Sequence, residues 1–278
     1  MLKIGQYNTL QVSRLVDFGA YLDGGNGREV LLPARYIEHP LTEGESLSVF
    51  VYTDSEDRPV ATTEHPYATV GEFAFLDVVS VDRIGAFLDW GLMKDLLVPF
   101  SQQKSRMVSG GRYLVYVYLD DATKRVVASA KIEKFLGNVI PRYKTGDATD
   151  VLVYRETPIG YACIVDNLHQ GMIYANQVFR PISVGDRLEA YVRRVRPDGK
   201  IDLMLSGAVS ERTNDLSDVI LDHLRVHGGY TEFDDHSSPE VIKEAFYCSK
   251  RDFKRAVGHL LKCGKIRKED RGLSLLDG

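Results

Sequence analysis

The sequence is short of the features that mark most activities. It has three cysteines in 278 residues, Cys163, Cys248 and Cys263, widely spaced and with no Cys-x-x-Cys pair. That argues against a zinc ribbon and fits reduced thiols in a cytoplasm. No apolar run approaches the roughly 20 residues of a membrane span. The start, Met1-Leu-Lys-Ile-Gly-Gln, is too polar and too soon strand-like for a secretory signal, so no membrane association is expected. There is no P-loop, no nucleophile elbow, no His-Glu-x-x-His and no other catalytic set; neither enzymatic activity nor a cofactor is expected. His223 and His227 stand four apart, a spacing that could hold a metal, but no carboxylate or cysteine motif completes a site and none is expected. A general excess of positive charge is missing too, since the net charge is −4.

That average hides a distribution. Residues 1–66 hold five Lys and Arg against ten Asp and Glu, and residues 67–145 hold eleven against eight. Residues 146–210 and 211–278 each come out at −1, yet 248–268 has eight basic residues and only Asp252 to balance them. A polyanion would find its least favourable docking point at the N-terminal end.

What the chain does have is short β-prone runs that recur. Around Val81–Pro99, Ala86-Phe87-Leu88 and Leu96-Leu97-Val98 flank a polar loop, with Gly85 placed where a strand must bend. Gly19, Pro33, Gly44 and Val60 reappear as Gly85, Pro99, Gly110 and Val126 at a shift of 66. A further shift of 75 carries Gly85, Pro99, Gly110 and Val126 onto Gly160, Tyr174, Gly185 and Ile201. A constant period marks duplicated units, here 1–66, 67–145 and a divergent 146–210, each of five short strands. A short helix is expected over 131–136.

From about Glu211 the period changes. Leu216, Val219, Ile220 and Leu224 form a helical stripe stopped by Gly228-Gly229. Ser238-Pro239 opens a second helix, and Ser249-Lys-Arg-Asp252 reads as a capping box before a third that buries Phe253, Ala256, Val257, Leu260 and Leu261. A hairpin over 266–276 follows. Three helices and a hairpin over 211–278 is the order of an α+β winged helix.

Phe18-Gly-Ala-Tyr-Leu and Ile84-Gly-Ala-Phe-Leu, each followed by a strand ending in Pro and by a Gly before the next strand, resemble the S1 RNA-binding domain. With three such units and a winged helix, the chain resembles the conserved virulence factor B family, bacterial proteins regarded as RNA-binding regulators. The resemblance implies a mainly β fold of tandem five-stranded OB-type barrels ahead of the winged helix. It implies RNA contacts at two aromatics around the bend, at a histidine on the next strand and at charges near the last hairpin. Those positions hold Phe18, Tyr21, Asp54 and Arg58 in unit one, with Pro33 in the histidine's place. Unit two has Phe87, Asp121 and Arg125, with Ile84 and Pro99 substituting. Unit three has Ile159 and Ala162, then Tyr174 at the histidine position and Lys200 near the hairpin.

Two basic runs are expected to hold phosphates. Arg187, Arg193, Arg194, Arg196 and Lys200 crowd one strand and hairpin, and each phosphate contact would release counterions. Lys250, Arg251, Lys254, Arg255 and Lys262 occupy the side of the third helix away from Phe253, with Lys265, Arg267 and Lys268 extending them. Trp90 is expected to be packed or half-exposed in a loop. The expectation is a cytoplasmic, non-enzymatic protein that binds single-stranded RNA and acts in post-transcriptional regulation. Two alternatives stay open: a winged-helix DNA-binding regulator, and a scaffold that docks on a ribosome, polymerase or nuclease.

Overall fold

Three times along the chain, a long strand carries one residue too many for its partner. The computed structural model describes residues 2–175, 178, 181–205, 209–246 and 248–276. In it β1 (Gln6–Val16), β6 (Phe73–Val81) and β11 (Ala148–Thr157) slip register between Val12 and Arg14, Val78 and Ser80, and Val153 and Arg155. A bulge bends its strand and increases the twist, which helps a short sheet curl on itself. The turn glycines keep the same spacing: Gly44, Gly110 and Gly185 lie at positive φ and donate N–H to Val12, Val78 and Val153, each at 2.8 Å.

The first barrel closes in the order β1, β2 (Gly19–Asp23), β3 (Glu29–Pro33), β5 (Pro59–Thr62), β4 (Ser46–Thr53). The third repeats it with β11, β12 (Gly160–Val165), β13 (His169–Tyr174), β15 (Ile201–Met204) and β14 (Arg187–Val195). The second has the same order in β6, β7 (Gly85–Leu88), β8 (Leu96–Pro99), β10 (Val126–Ser129) and β9 (Arg112–Leu119). At its β8–β10 seam no strand pairing is present among the described residues, and Leu96, Val98 and Ala128 pack there into one core.

The bend glycines face Pro33, Pro99 and Tyr174 in register. A Cβ on Gly19, Gly85 or Gly160 would fall 2.1, 2.3 or 2.1 Å from the carbonyl oxygen of Leu32, Val98 or Ile173. Only glycine lets the strands approach that closely.

The repeat slips by one residue at the last hairpin. Tyr52 pairs with Val60, and Tyr118, 66 residues on, pairs with Val127. The hairpin closed by Asp120 N–H to Arg125 O is one residue longer than that closed by Asp54 N–H to Arg58 O. The counterparts of Val60 and Asp54 are therefore Val127 and Asp120, not Val126 and Asp121. Two adjacent valines had concealed the slip.

The chain divides into two compact units, Met1–Phe135 and Leu136–Gly278. In the first, Phe50, Tyr52 and Val60 from the outer face of β4 and β5 join the core around Trp90 and Leu92 of the second barrel. Trp90 is 2% exposed, meets Phe50 edge-on at 5.5 Å and donates its Nε1–H to Ala68 O at 2.6 Å. Lys94 donates to the carbonyls of Thr53 and Asp54 at 2.7 and 2.8 Å. The expected short helix is a single 3-10 turn, Ile132–Lys134. Residues 136–145 attach to the third barrel, with Gly137 N–H on Leu168 O and Tyr143 OH on Asp166.

The C-terminal part runs α1 (Val209–Val226), β16 (Tyr230–Thr231), α2 (Pro239–Phe246), α3 (Lys250–Lys262), β17 (Ile266–Lys268) and β18 (Leu273–Leu275). Its three-stranded sheet has the order β16-β18-β17. The two-residue β16 is too short to leave a periodic signal, so the sequence pattern misses it. Among the described residues no helix is long and apolar enough to cross a membrane.

Gly85 has ordinary φ, so its restriction is one of space alone. Gly85→Ala should cost about 3 kcal/mol, whereas Gly110→Ala, at φ +77 with open space around it, should cost about 1 kcal/mol. Urea unfolding followed by the fluorescence of Trp90, the single tryptophan, separates the two.

Candidate nucleic-acid interface

The outer face of the last two strands differs between barrels at one cross-strand pair. It is Tyr52–Val60 in the first, Tyr118–Val127 in the second and Arg194–Asp202 in the third. In the first, the second barrel covers the pair. In the second, Phe135 stacks on Tyr116 at 4.1 Å and lies 5.5 Å from Tyr118. In the third, the pair is ionic.

Asp202 is 1% exposed. It accepts from Arg194 Nε at 2.6 Å, from Arg196 Nε at 2.7 Å and from the Tyr174 hydroxyl at 3.3 Å, while Arg196 Nη2 donates to that hydroxyl. Burial pushes the carboxyl pKa up, but hydrogen bonds and charge from Arg196 and Arg194 outweigh it and hold the group below the usual carboxylate range. The carboxylate therefore fixes two guanidinium groups rather than cancelling both: the Arg194 side chain is still 69% exposed. A bulge between Val192 and Arg194 leaves Arg193 exposed beside it. Residues Arg194 to Asp198 line an open groove of about 430 Å³. Arg187 is exposed at the start of β14, and Lys200, also exposed, lies 3.5 Å from Asp198.

Sequence reasoning missed Asp202. The signal was available: an antiparallel hairpin around Pro197-Asp-Gly199 places residue 194 opposite residue 202, and an aspartate between Ile201 and Leu203 is out of character for a buried strand.

On α3, Ser249 caps the first turn by accepting Asp252 N–H, and Phe253, Ala256, Val257 and Leu260 face inward. Arg251, Lys254, Arg255 and Lys262 are exposed on the other side; Lys250 is half-buried, with Nζ donating to His236 O at 3.4 Å. Arg251, Lys254, Lys262 and Lys265 have no acidic partner among the described residues. Arg255, Arg267 and Lys268 do, in Asp252 at 3.6 Å, Glu269 at 2.7 Å and Asp235 at 2.9 Å.

The N-terminal candidates sit differently. Phe18 is 58% exposed and meets Tyr21 edge-on at 6.3 Å. Arg58 is held by Asp54 at 2.8 Å and Glu56 at 3.0 Å. Phe87 is half-buried, and Arg125 turns away to Asp57 of the first barrel, its Nη2 donating at 2.7 Å, so that it serves as a tie between barrels. His223 and His227 stack at 4.1 Å, and no group of three or more metal-ligating side chains is gathered among the described residues.

Barrels with this bulge and bend, ahead of a winged helix, define an S1-type protein. Residues 4–64 match the S1 domain family and residues 218–275 the CvfB-like winged helix domain. Conserved virulence factor B of Staphylococcus haemolyticus is 30% identical over 281 residues, covering 98% of this chain and 94% of that protein. The uncharacterized protein YitL of Bacillus subtilis is 28% identical, covering 97% and 92%. The chain belongs to the conserved virulence factor B family. A solved multidomain protein with nucleic acid binding domains from Streptococcus pneumoniae is 23% identical across 98% of both chains, with a TM-score of 0.43.

Asp202→Asn should destabilise the protein by about 1–3 kcal/mol at neutral pH, less than a fully buried pair because Arg194 is largely in water. A carboxylate whose pKa is lowered by folding stabilises above its unfolded pKa, about 3.9. That contribution is lost as the pH falls through the folded value. Unfolding midpoints of wild type and variant should thus differ at pH 7 and converge below about pH 4.

Proposed function

We propose that this protein binds single-stranded RNA through its third barrel and winged helix, and acts without catalysis in post-transcriptional regulation in the cytoplasm. The observation that carries the reading is the exchange of an apolar, covered pair for Arg194–Asp202 on the outer face of the third barrel. The exposed Arg194 guanidinium, held from behind by a carboxylate that also fixes the half-buried Arg196, suits phosphate oxygens, because less side-chain freedom is lost on contact. Tyr174 adds a half-buried ring beside them, with Arg196 Cζ 5.9 Å from its centre. Arg251, Lys254 and Lys265 supply charge with no acidic partner among the described residues, in the same compact unit as the third barrel. OB-type barrels bind oligonucleotides on the face of their second and third strands and at the loops after the first and fourth, and Arg196 to Lys200 form the loop after the fourth strand here. Single strands dominate RNA recognition because their bases are accessible. The proposed domains are 1–66, 67–145, 146–210 and 211–278, with the linker 136–145 at the end of the second packed on the third barrel.

The test is anisotropy of a labelled single-stranded oligouridylate with full-length protein over a range of salt. Log affinity should fall with log salt with a slope of about −0.7 per phosphate contact, and about four contacts would give roughly −3. Arg251→Glu with Lys254→Glu should weaken binding about tenfold or more and flatten the slope. Absence of binding at low salt, or duplex DNA displacing the RNA at equal phosphate, would overturn the reading.

A further inference from the structure

The second barrel has no aromatic in front of its bend glycine; Ile84 stands there, 57% exposed. The fold brings one in from elsewhere. β8 ends at Pro99 opposite Gly85, and the next residue, Phe100, donates its N–H to Ile84 O at 3.3 Å. Phe100 opens a single 3-10 turn and is half-buried. Arg106, exposed, lays its guanidinium over this ring with Cζ 3.9 Å from the centre. The residues after Pro33 and Tyr174 in the other barrels are Ala34 and Ala175, so the ring belongs to the second barrel alone.

The first barrel supplies an internal comparison. There Arg14 lies over Tyr21, also at 3.9 Å, but Glu29 takes its guanidinium at 2.8 and 3.1 Å. Arg106 has no acidic partner among the described residues. It also lies in the repeat where basic residues outnumber acidic ones, eleven to eight, whereas Arg14 lies where acids are ten to five.

A guanidinium stacked on a ring keeps its second face open, and its N–H donors lie in the plane between. Unpaired bases stack on aromatic rings and on arginine planes alike. We infer that Phe100 and Arg106 form a nucleotide subsite on the second barrel. An unpaired base stacks on the outer face of the Arg106 guanidinium above Phe100, and the in-plane N–H groups take the adjoining phosphate. The inference rests on the proposed RNA binding and extends it to the barrel whose motif position is aliphatic.

Arg106→Lys is the deciding variant, because it keeps the charge, loses the plane and alters an exposed side chain. In full-length protein titrated with labelled oligouridylate it should weaken binding about fivefold or more, the lower end of what one stacked base contributes. Its salt slope should match wild type, since no charge is removed. Phe100→Leu should weaken binding similarly, with the Trp90 fluorescence melt confirming the fold, and Arg14→Lys should stay within about twofold. An oligouridylate carrying 4-thiouridine should photo-crosslink to the peptide spanning 100–106. Wild-type affinity in both Arg106→Lys and Phe100→Leu, with wild-type protein binding normally, would overturn the subsite alone. Failure of wild type to bind would overturn the proposed function and the subsite with it.

Discussion

A small barrel cannot hide both faces of its sheet. One face fills the interior, and apolar side chains on the other must be covered by something else. In this chain that constraint falls on the fourth and fifth strands. Phe50, Tyr52 and Val60 are covered by the second barrel through Trp90, and Tyr116 and Tyr118 by Phe135. The first barrel is joined to the second because its own face is apolar, and the second barrel's equivalent face is closed by Phe135. In the third barrel Arg194 and Asp202 satisfy each other, so the face can stay in water and meet a charged ligand.

Charge is distributed on the same lines. In the first barrel Arg14 and Arg58 are each held by acids, and Asp57 holds Arg125 of the second. Pairs this exposed contribute little stability each, but they occupy cations that would otherwise meet phosphate. Among the described residues, cations without an acidic partner collect on α3, and Arg106 is a further one on the second barrel, whereas beside β14 Arg194 and Arg196 share the single carboxylate of Asp202. The net charge of −4 conceals this division between an acidic, assembling end and surfaces able to bind a polyanion.

Features set by local chemistry were legible in the sequence. The bend glycines, the turn glycines Gly44, Gly110 and Gly185, the Ser249 cap and the buried face of α3 all appear where the residue pattern places them. What was not legible depends on register across a turn or on contacts between barrels. One added residue in the second barrel's last hairpin moved the equivalence of Val60 to Val127. Arg125 looked like a hairpin cation of its own barrel until the partner, Asp57, 68 residues away, was in view. Phe100 lies outside the S1 motif positions and joins Ile84 only through the fold. Asp202 belongs between the two classes, since its pairing with Arg194 follows from counting back around Pro197-Asp-Gly199.

The same barrel face is closed by apolar packing in the first two repeats, and we propose it as a ligand surface in the third. Hydrogen–deuterium exchange of the full chain, with and without a single-stranded oligouridylate, addresses it directly. RNA is expected to slow exchange in peptides covering 187–204 and 250–268 and to leave 46–62, already covered by the second barrel, unchanged. Protection concentrated on 46–62, with 187–204 exchanging as in the free protein, would contradict it.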